Sequence, residues 1–327
     1  MASFKSGFVA IVGRPNAGKS TLLNALLGEK IAIMSDKPNT TRNNIAGILS
    51  QDAAQFVFVD TPGIHKPQQE LGRVLNKNAY IAMEDADVVA WIVDGTQSFG
   101  SGDNFILERL KTLGKPIILL LNKVDKMSRE NLLKRLNYWS GLYDFAEIIP
   151  LSALKRENID EVLHVFKDYL PEGDPLYPSE MKSDHGLNFQ LTELVREKIL
   201  QKTHDEIPHS IAVLLESMEE VNGKVYLSFI VIVDRDSQKG ILIGKGGDMI
   251  RSIRMSAQKD IKEKLGKPVN IELYVRVERT GAIRKTKLRN SVWTNSPTTD
   301  RFTSFWYRRL WPEAVFFWAF PGTCKSG

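Results

Sequence analysis

The sequence predicts an α/β fold: a mostly parallel, doubly wound sheet domain followed by a smaller α+β domain. Three observations carry this. The chain runs to 327 residues, more than one hydrophobic core usually accommodates. Between Phe8 and Tyr169, β-branched runs alternate with amphipathic helical stretches, the pattern of a parallel sheet covered on both faces. Beyond that, Pro171, Pro175 and Pro178 crowd a short polar span, and the order of elements changes.

The first domain is expected over residues 1–170. Its predicted strands are GFVAIV, FVFVD, DVVAWIVD, PIILLLN and EIIPLS, and KSTLLNALLG follows the first as a helix. Residues 171–184, PEGDPLYPSEMKSD, have the composition of a linker. The second domain is expected over residues 185–279. It opens with the helix LNFQLTELVREKILQKT, which places Leu191, Leu194, Val195 and Ile199 on one side. Two strands, HSIAVLLESMEE and KVYLSFIVIV, come next. After KGILIG and a glycine turn, a helix sets Met249, Ile250, Ile253, Ala257 and Ile261 at helical spacing, and NIELYVRV closes the domain. The order is helix, strand, strand, helix, turn, helix, strand. Residues 280–327 follow no sustained period and hold four of the six tryptophans, so they read as a non-native or poorly ordered end.

Composition is that of a globular protein, 43% hydrophobic and 25% charged. No apolar run reaches the roughly 20 residues that span a bilayer. The start, MASFKSGFVAIVG, lacks the long apolar region of a signal peptide. The one cysteine, Cys324, excludes an internal disulfide framework or a cysteine-rich metal site. The expected compartment is the cytoplasm. The net charge of +5 is uneven: residues 1–170 carry 20 Lys/Arg against 19 Asp/Glu, residues 171–279 carry 16 against 18, and residues 280–327 carry 8 against 2. The overall excess therefore says nothing about either folded domain, and local patches must carry any argument about nucleic acid.

GRPNAGKS, Gly13 to Ser20, fits G-x-x-x-x-G-K-[ST] after a predicted strand and at the start of a helix. The turn Gly13, Arg14, Pro15, Asn16, Ala17, Gly18, Lys19, Ser20 and Thr21, through the backbone N–H groups of its residues other than Pro15 and the positive helix N-terminus, would cradle phosphates. Lys19 would reach the β- and γ-phosphates and Ser20 would ligate Mg²⁺. DTPG (Asp60, Thr61, Pro62, Gly63) ends a second strand, where Asp60 can hold Mg²⁺ and Gly63 can donate to the γ-phosphate. NKVD ends a third and SAL (Ser152, Ala153, Leu154) follows a fourth. All lie at the carboxyl ends of parallel strands, where open α/β sheets bind ligands.

NKVD selects the base. Asp125 would accept from guanine N1–H and the 2-amino group, which adenine lacks. Asn122 and Lys123 would complete that wall, Asn122 on the base's other edge, and the Ala153 N–H would meet O6. The expected ligand is a guanine nucleotide. In KPNTTRNN, Thr41, or alternatively Thr40, would ligate Mg²⁺ beside the γ-phosphate. Lys19, Thr41, Asp60 and Gly63 form the expected catalytic set. Ile64 stands where many GTPases place a water-orienting Gln, so intrinsic turnover is expected at or below about 10⁻³ s⁻¹. The loops around Thr41 and Ile64 are the expected switches.

ILIGKGGDMI holds a second glycine loop, without the Lys-Ser/Thr pair of a phosphate cradle and with an acidic Asp248 instead. Gly244-Lys245-Gly246-Gly247 fits G-x-x-G between two helices, a loop that clamps the backbone of single-stranded RNA. From Arg235 to Lys267 there are nine Lys/Arg against four Asp/Glu. Ile243, Ile250, Arg251 and Arg254 flank the loop and join it as candidate RNA contacts.

GRPNAGKSTLLN, KPNTTRNN, DTPGIHKP, NKVD and SALK, followed by LIGKGGDMIRSI, resemble the Era family of GTPases over roughly residues 5–279. The resemblance implies a P-loop GTPase domain followed by a type II KH domain, with GTP/GDP and Mg²⁺ as cofactors. It implies binding of 16S rRNA near its 3′ end, assistance in small (30S) ribosomal subunit biogenesis, and peripheral association with the inner face of the cell membrane. DNA is not an expected partner. Asn16 matches the asparagine that supports K⁺-stimulated hydrolysis in related GTPases, and Ile64 their hydrophobic residue, so K⁺ at Asn16 is a further expectation. After VRVERT the likeness stops. Two other readings stand beside this one: an RNA-chaperoning module with GTP as a structural ligand, and a related GTPase acting in tRNA modification. His204, His209 and His65 have no zinc-site spacing.

Overall fold

The computed structural model describes residues 3–278 apart from 36, 38–39, 43, 67–69 and 204–210. The expectations for the tail from residue 280 and for His204 and His209 lie outside the described residues.

The first sheet has six strands: β1 (Lys5–Val12), β2 (Ile45–Gln51), β3 (Ala54–Asp60), β4 (Val88–Asp94), β5 (Ile117–Asn122) and β6 (Glu147–Pro150), in the order β2-β3-β1-β4-β5-β6. Five run parallel. The alternation of side chains sends Val9 and Ile11 into one core and Ala10 and Val12 into another, so both faces are buried. Helices α1 (Lys19–Leu27), α2 (Glu70–Asp85), α3 (Ser101–Leu110), α4 (Arg129–Ser140) and α5 (Ile159–Tyr169) cover them. The sequence reading had one strand too few. IAGILSQ forms β2, antiparallel to β3 through a tight hairpin at residues 52–53, so the sheet is mostly and not wholly parallel. Its Gly47 breaks the apolar pattern, and a Cβ there would meet Leu27 Cδ1 at 2.5 Å, so packing of α1 on β2 requires the weak position.

The span read as a linker is a bonded strap. Leu176 and Tyr177 donate their N–H groups to Gln55 Oε1, at 2.6 and 2.8 Å. Ile48 donates to the Lys182 carbonyl at 2.9 Å, and Asp184 Oδ1 accepts from the Ala46 N–H at 3.1 Å.

The second domain contains α6 (Leu187–Lys202), β7 (Ala212–Val221), β8 (Lys224–Val233), α7 (Asp236–Ile243), α8 (Asp248–Leu265) and β9 (Val269–Val277), in the element order that the sequence predicts. β7 and β8 form an antiparallel hairpin, and β9 joins β8 in parallel. Leu191, Leu194, Val195 and Ile199 of α6 meet Ile253, Ala257 and Ile261 of α8 in its core. Ile33, from the segment after α1, inserts into the same core. Met1–Thr280 forms one compact unit.

Candidate functional site

The phosphate loop bends between β1 and α1. Gly18 stands at its end with φ +106°, and a Cβ there would lie 2.2 Å from Asn122 Nδ2. Only glycine meets both conditions. Asn122 is 3% exposed; its Nδ2 donates to the Ala17 carbonyl at 2.8 Å, and its Oδ1 accepts the Ala153 N–H at 3.0 Å. It clamps the phosphate loop to the Ser152–Leu154 loop. Its Nδ2 carries a second N–H beyond the one given to Ala17, so the clamp is compatible with the expected base contact. The Ala153 N–H is engaged by Asn122, so a guanine O6 would have to share that donor.

Asp125 is exposed, and its Oδ1 accepts from Ser152 Oγ at 2.6 Å. That bond fixes the carboxylate at the mouth of the site. Ser152 is buried and Leu154 is exposed. Lys123 takes a left-handed conformation, φ 67°. Its Nζ donates to the Asn16 carbonyl at 2.9 Å and to Asp94 Oδ2 at 2.7 Å. Burial alone would raise the Asp94 carboxyl, but bonds from Lys123 and Thr96 hold it below its ordinary value. The sequence reading missed Asp94, although it ends a parallel strand at the same edge as the recognised motifs. Arg14 turns away: its guanidinium pairs with Asp103 of α3 at 3.0 Å, leaving only its backbone to the loop. Thr21 lies in the first turn of α1.

The chemistry converges on three oxygens. Ser20 Oγ donates to Asp60 Oδ2 at 2.7 Å, Thr41 Oγ1 donates to the same atom at 3.2 Å, and the two hydroxyls are 3.0 Å apart. Thr40 points elsewhere, its Oγ1 donating to the Lys37 carbonyl at 2.6 Å. Asp60 is fully buried, and among the described residues its Oδ1 has no hydrogen-bond partner. Burial raises its pKa, and Lys19, Ser20 and Thr41 offset that only in part. A cluster of hard oxygen donors with an unsatisfied buried carboxylate oxygen fits Mg²⁺. The cation would supply charge neutralisation at phosphate oxygens. Lys19 Nζ donates to the carbonyls of Gly13 and Arg14, at 3.2 and 2.9 Å. Burial pushes its pKa down to about 8, against the pull of Asp60.

The DTPG turn is anchored under this cluster. Thr61 Oγ1 donates to the Ile11 carbonyl at 2.8 Å, and the Ile64 N–H to the Gly13 carbonyl at 3.0 Å. Pro62 and Gly63 are buried. The Ile64 side chain is wholly buried in the core with Val12 and Met83. It cannot orient a water. His65 Nδ1 lies 3.1 Å from the Gly63 carbonyl.

At the other glycine loop, Lys245–Gly247 form a short 3₁₀ turn between α7 and α8. A Cβ on Gly244 would meet the Met249 N at 2.9 Å, whereas one on Gly246 would meet nothing within 4 Å. Gly244 is thus required by packing, and Gly246 stands open to an approaching backbone. Lys245, Arg251 and Arg254 are exposed beside it, and the N-terminus of α8 adds a positive end. An apolar cleft lies alongside, lined by Ile199, Val231, Leu242, Ile250, Ile253, Leu273 and Val275. Ile250 is therefore in the cleft; Ile243 is not among its lining residues, and Leu242 is. The strand residues of this cleft were not foreseen, because alternation alone does not distinguish a cleft wall from core.

Comparison with known proteins finds relatives over both parts of the chain. Residues 8–123 match the family model described as 50S ribosome-binding GTPase, and residues 206–282 match a KH domain. The chain is 38% identical to the protein in a structure of Era in complex with MgGDPNP and nucleotides 1506–1542 of 16S ribosomal RNA. That match covers 88% of this chain and 98% of that one, with a TM-score of 0.83. An Aquifex aeolicus Era variant bound to GDP·AlF4⁻ matches with the same identity and TM-score, over 88% of this chain and 99% of that one.

Proposed function

The chain belongs to the Era family of GTPases, and on that premise we propose that it is a GTP-hydrolysing switch that binds 16S rRNA through its KH domain and assists small-subunit biogenesis. One observation carries the reading: a single chain holds both the Ser20–Thr41–Asp60 oxygen cluster and the open Gly246 loop with its basic flank. GTP and GDP with Mg²⁺ are its cofactors. Asp125 reads the guanine, Lys19 and the loop N–H groups hold the phosphates, and Ser20, Thr41 and Asp60 supply the cation's protein ligands. Positioned charge of this kind is how such sites promote phosphoryl transfer. With Ile64 buried, the attacking water lacks a side-chain guide, so turnover is slow and depends on K⁺ at Asn16. The protein works in the cytoplasm, with a fraction held peripherally at the membrane, the latter as the family likeness implies.

The test is GTP hydrolysis in K⁺ buffer and in Na⁺ buffer, with and without a short RNA of nucleotides 1506–1542 of 16S rRNA. Faster turnover with K⁺ and with that RNA supports the reading. Turnover indifferent to this RNA, with basal hydrolysis intact, refutes the coupling to rRNA.

A further inference from the structure

α6 belongs to the KH domain, yet three consecutive charged residues on it, Arg196, Glu197 and Lys198, are buried. Two of them grip the stretch between α1 and β2 that carries Thr41. Glu197 is fully buried; its Oε1 accepts the Met34 N–H at 2.8 Å and its Oε2 accepts from Lys30 Nζ at 2.6 Å. Arg196 is 4% exposed, and its Nη2 donates to the Thr40 carbonyl at 2.5 Å. On the other side of Thr41, Arg42 Nη1 donates to the Ile211 carbonyl at 2.8 Å. The residues before and after Thr41 are thus fastened to the KH domain, while Thr41 itself turns inward to Ser20 and Asp60.

Arg196 is itself held firmly. Glu193, one turn earlier, accepts from its Nε at 2.7 Å and its Nη2 at 2.5 Å. A planar guanidinium locked by a two-point carboxylate contact presents its remaining N–H bonds in fixed directions. One of them meets the Thr40 carbonyl. We propose that Arg196 is a positioning residue for GTP hydrolysis: by holding the Thr40 carbonyl from the KH domain, it sets Thr41 Oγ1 for the cation. The inference rests on the reading of Thr41 as a ligand of Mg²⁺. It gives the second domain a direct hold on the nucleotide site that needs no contact with the nucleotide.

The experiment uses the full chain with Arg196→Ala, Glu193→Gln and Thr41→Ala. Calorimetric titration measures affinity for a non-hydrolysable GTP analogue and for GDP across a range of Mg²⁺ concentrations, and thermal melting reports folding. Outer partners that orient a ligand typically change metal affinity about 10–100-fold when removed. Arg196→Ala is therefore expected to raise the Mg²⁺ needed for half-maximal analogue affinity by about tenfold or more. GDP affinity stays unchanged, since GDP lacks the γ-phosphate that orders this switch. Excess Mg²⁺ restores hydrolysis. Glu193→Gln shifts the requirement in the same direction by less. If Thr41→Ala raises the Mg²⁺ requirement but folded Arg196→Ala does not, the role of Thr41 stands and that of Arg196 is overturned. If Thr41→Ala changes nothing, the metal assignment fails and the inference falls with it. Should Arg196→Ala fail to fold, an unchanged requirement in Glu193→Gln overturns the proposal.

Discussion

Lys19 Nζ sits among the carbonyls of Gly13 and Arg14, and burial holds its pKa near 8. Phosphate binding demands the ammonium form. Below pH about 8 that form already prevails, so affinity for GTP should be flat. Above it, binding must draw a proton from solution, and affinity should fall by up to about tenfold per pH unit. Calorimetry at pH 8.5 in buffers of different ionisation enthalpy would register that proton; buffer-independent heats and constant affinity would refute it. The same shift acts on folding with the opposite sense. Between about pH 8 and 10.5 the unfolded chain binds more protons at Lys19 than the folded one, so this residue's share of stability rises with pH there. At Asp125, replacement by Asn removes the acceptor pair for guanine and should turn preference towards xanthine nucleotides. Competition binding checks it, and undiminished GTP affinity would overturn the base assignment.

The limits of the sequence show at these same residues. The NKVD motif announces a base pocket, but it does not reveal that Asn122 also clamps the phosphate loop to the Ser152–Leu154 loop, because a motif records residue types and not their partners. Arg196 and Glu197 carry no motif at all. Charged residues on a helix ordinarily mark a solvated face, and nothing in the run announces that these two dock on the stretch between α1 and β2.

Among the elements, the helix–turn–helix around Gly246 was fully legible, since glycines between two apolar-striped stretches leave little choice of conformation. Gly246 has φ 63° and open space where a Cβ would go. Gly246→Asp should therefore leave the fold standing at a cost of about 1 kcal/mol, while placing a negative charge against the RNA backbone. We expect RNA affinity to drop at least about tenfold, because a carboxylate would repel the phosphate that the open glycine admits, with GTP affinity unchanged. Filter binding at fixed salt measures both. Equal RNA affinity would make the loop purely structural. β2 was invisible for a different reason: it is interrupted by Gly47 and paired antiparallel in a fold whose other strands announce themselves by continuous apolar runs.

For the molecule as a whole, the contacts between the two domains are ionic as well as apolar. Lys30 and Lys198 each bridge Glu197 and Asp260, so a four-residue cluster ties the segment after α1 to α6 and α8. Glu197 is its fully buried member. Removing one partner of a buried ion pair costs about 3–5 kcal/mol, against about 0.3–0.5 kcal/mol for an exposed helix pair. Urea denaturation of Glu197→Ala should show a loss of about 3 kcal/mol, and Glu130→Ala, which breaks the exposed Glu130–Lys134 pair, almost none. Equal losses would mean that the cluster does not bind the domains together.

The strap between the domains has a consequence for the protein in company. β2 is the outermost strand of its sheet, and an unpaired outer strand is a template on which another chain can polymerise. Lys182 and Asp184 already occupy the backbone of Ile48 and Ala46. The segment that joins the domains thereby also seals the sheet against its neighbours, and loosening it at Gln55 would be felt first as aggregation in a concentrated solution.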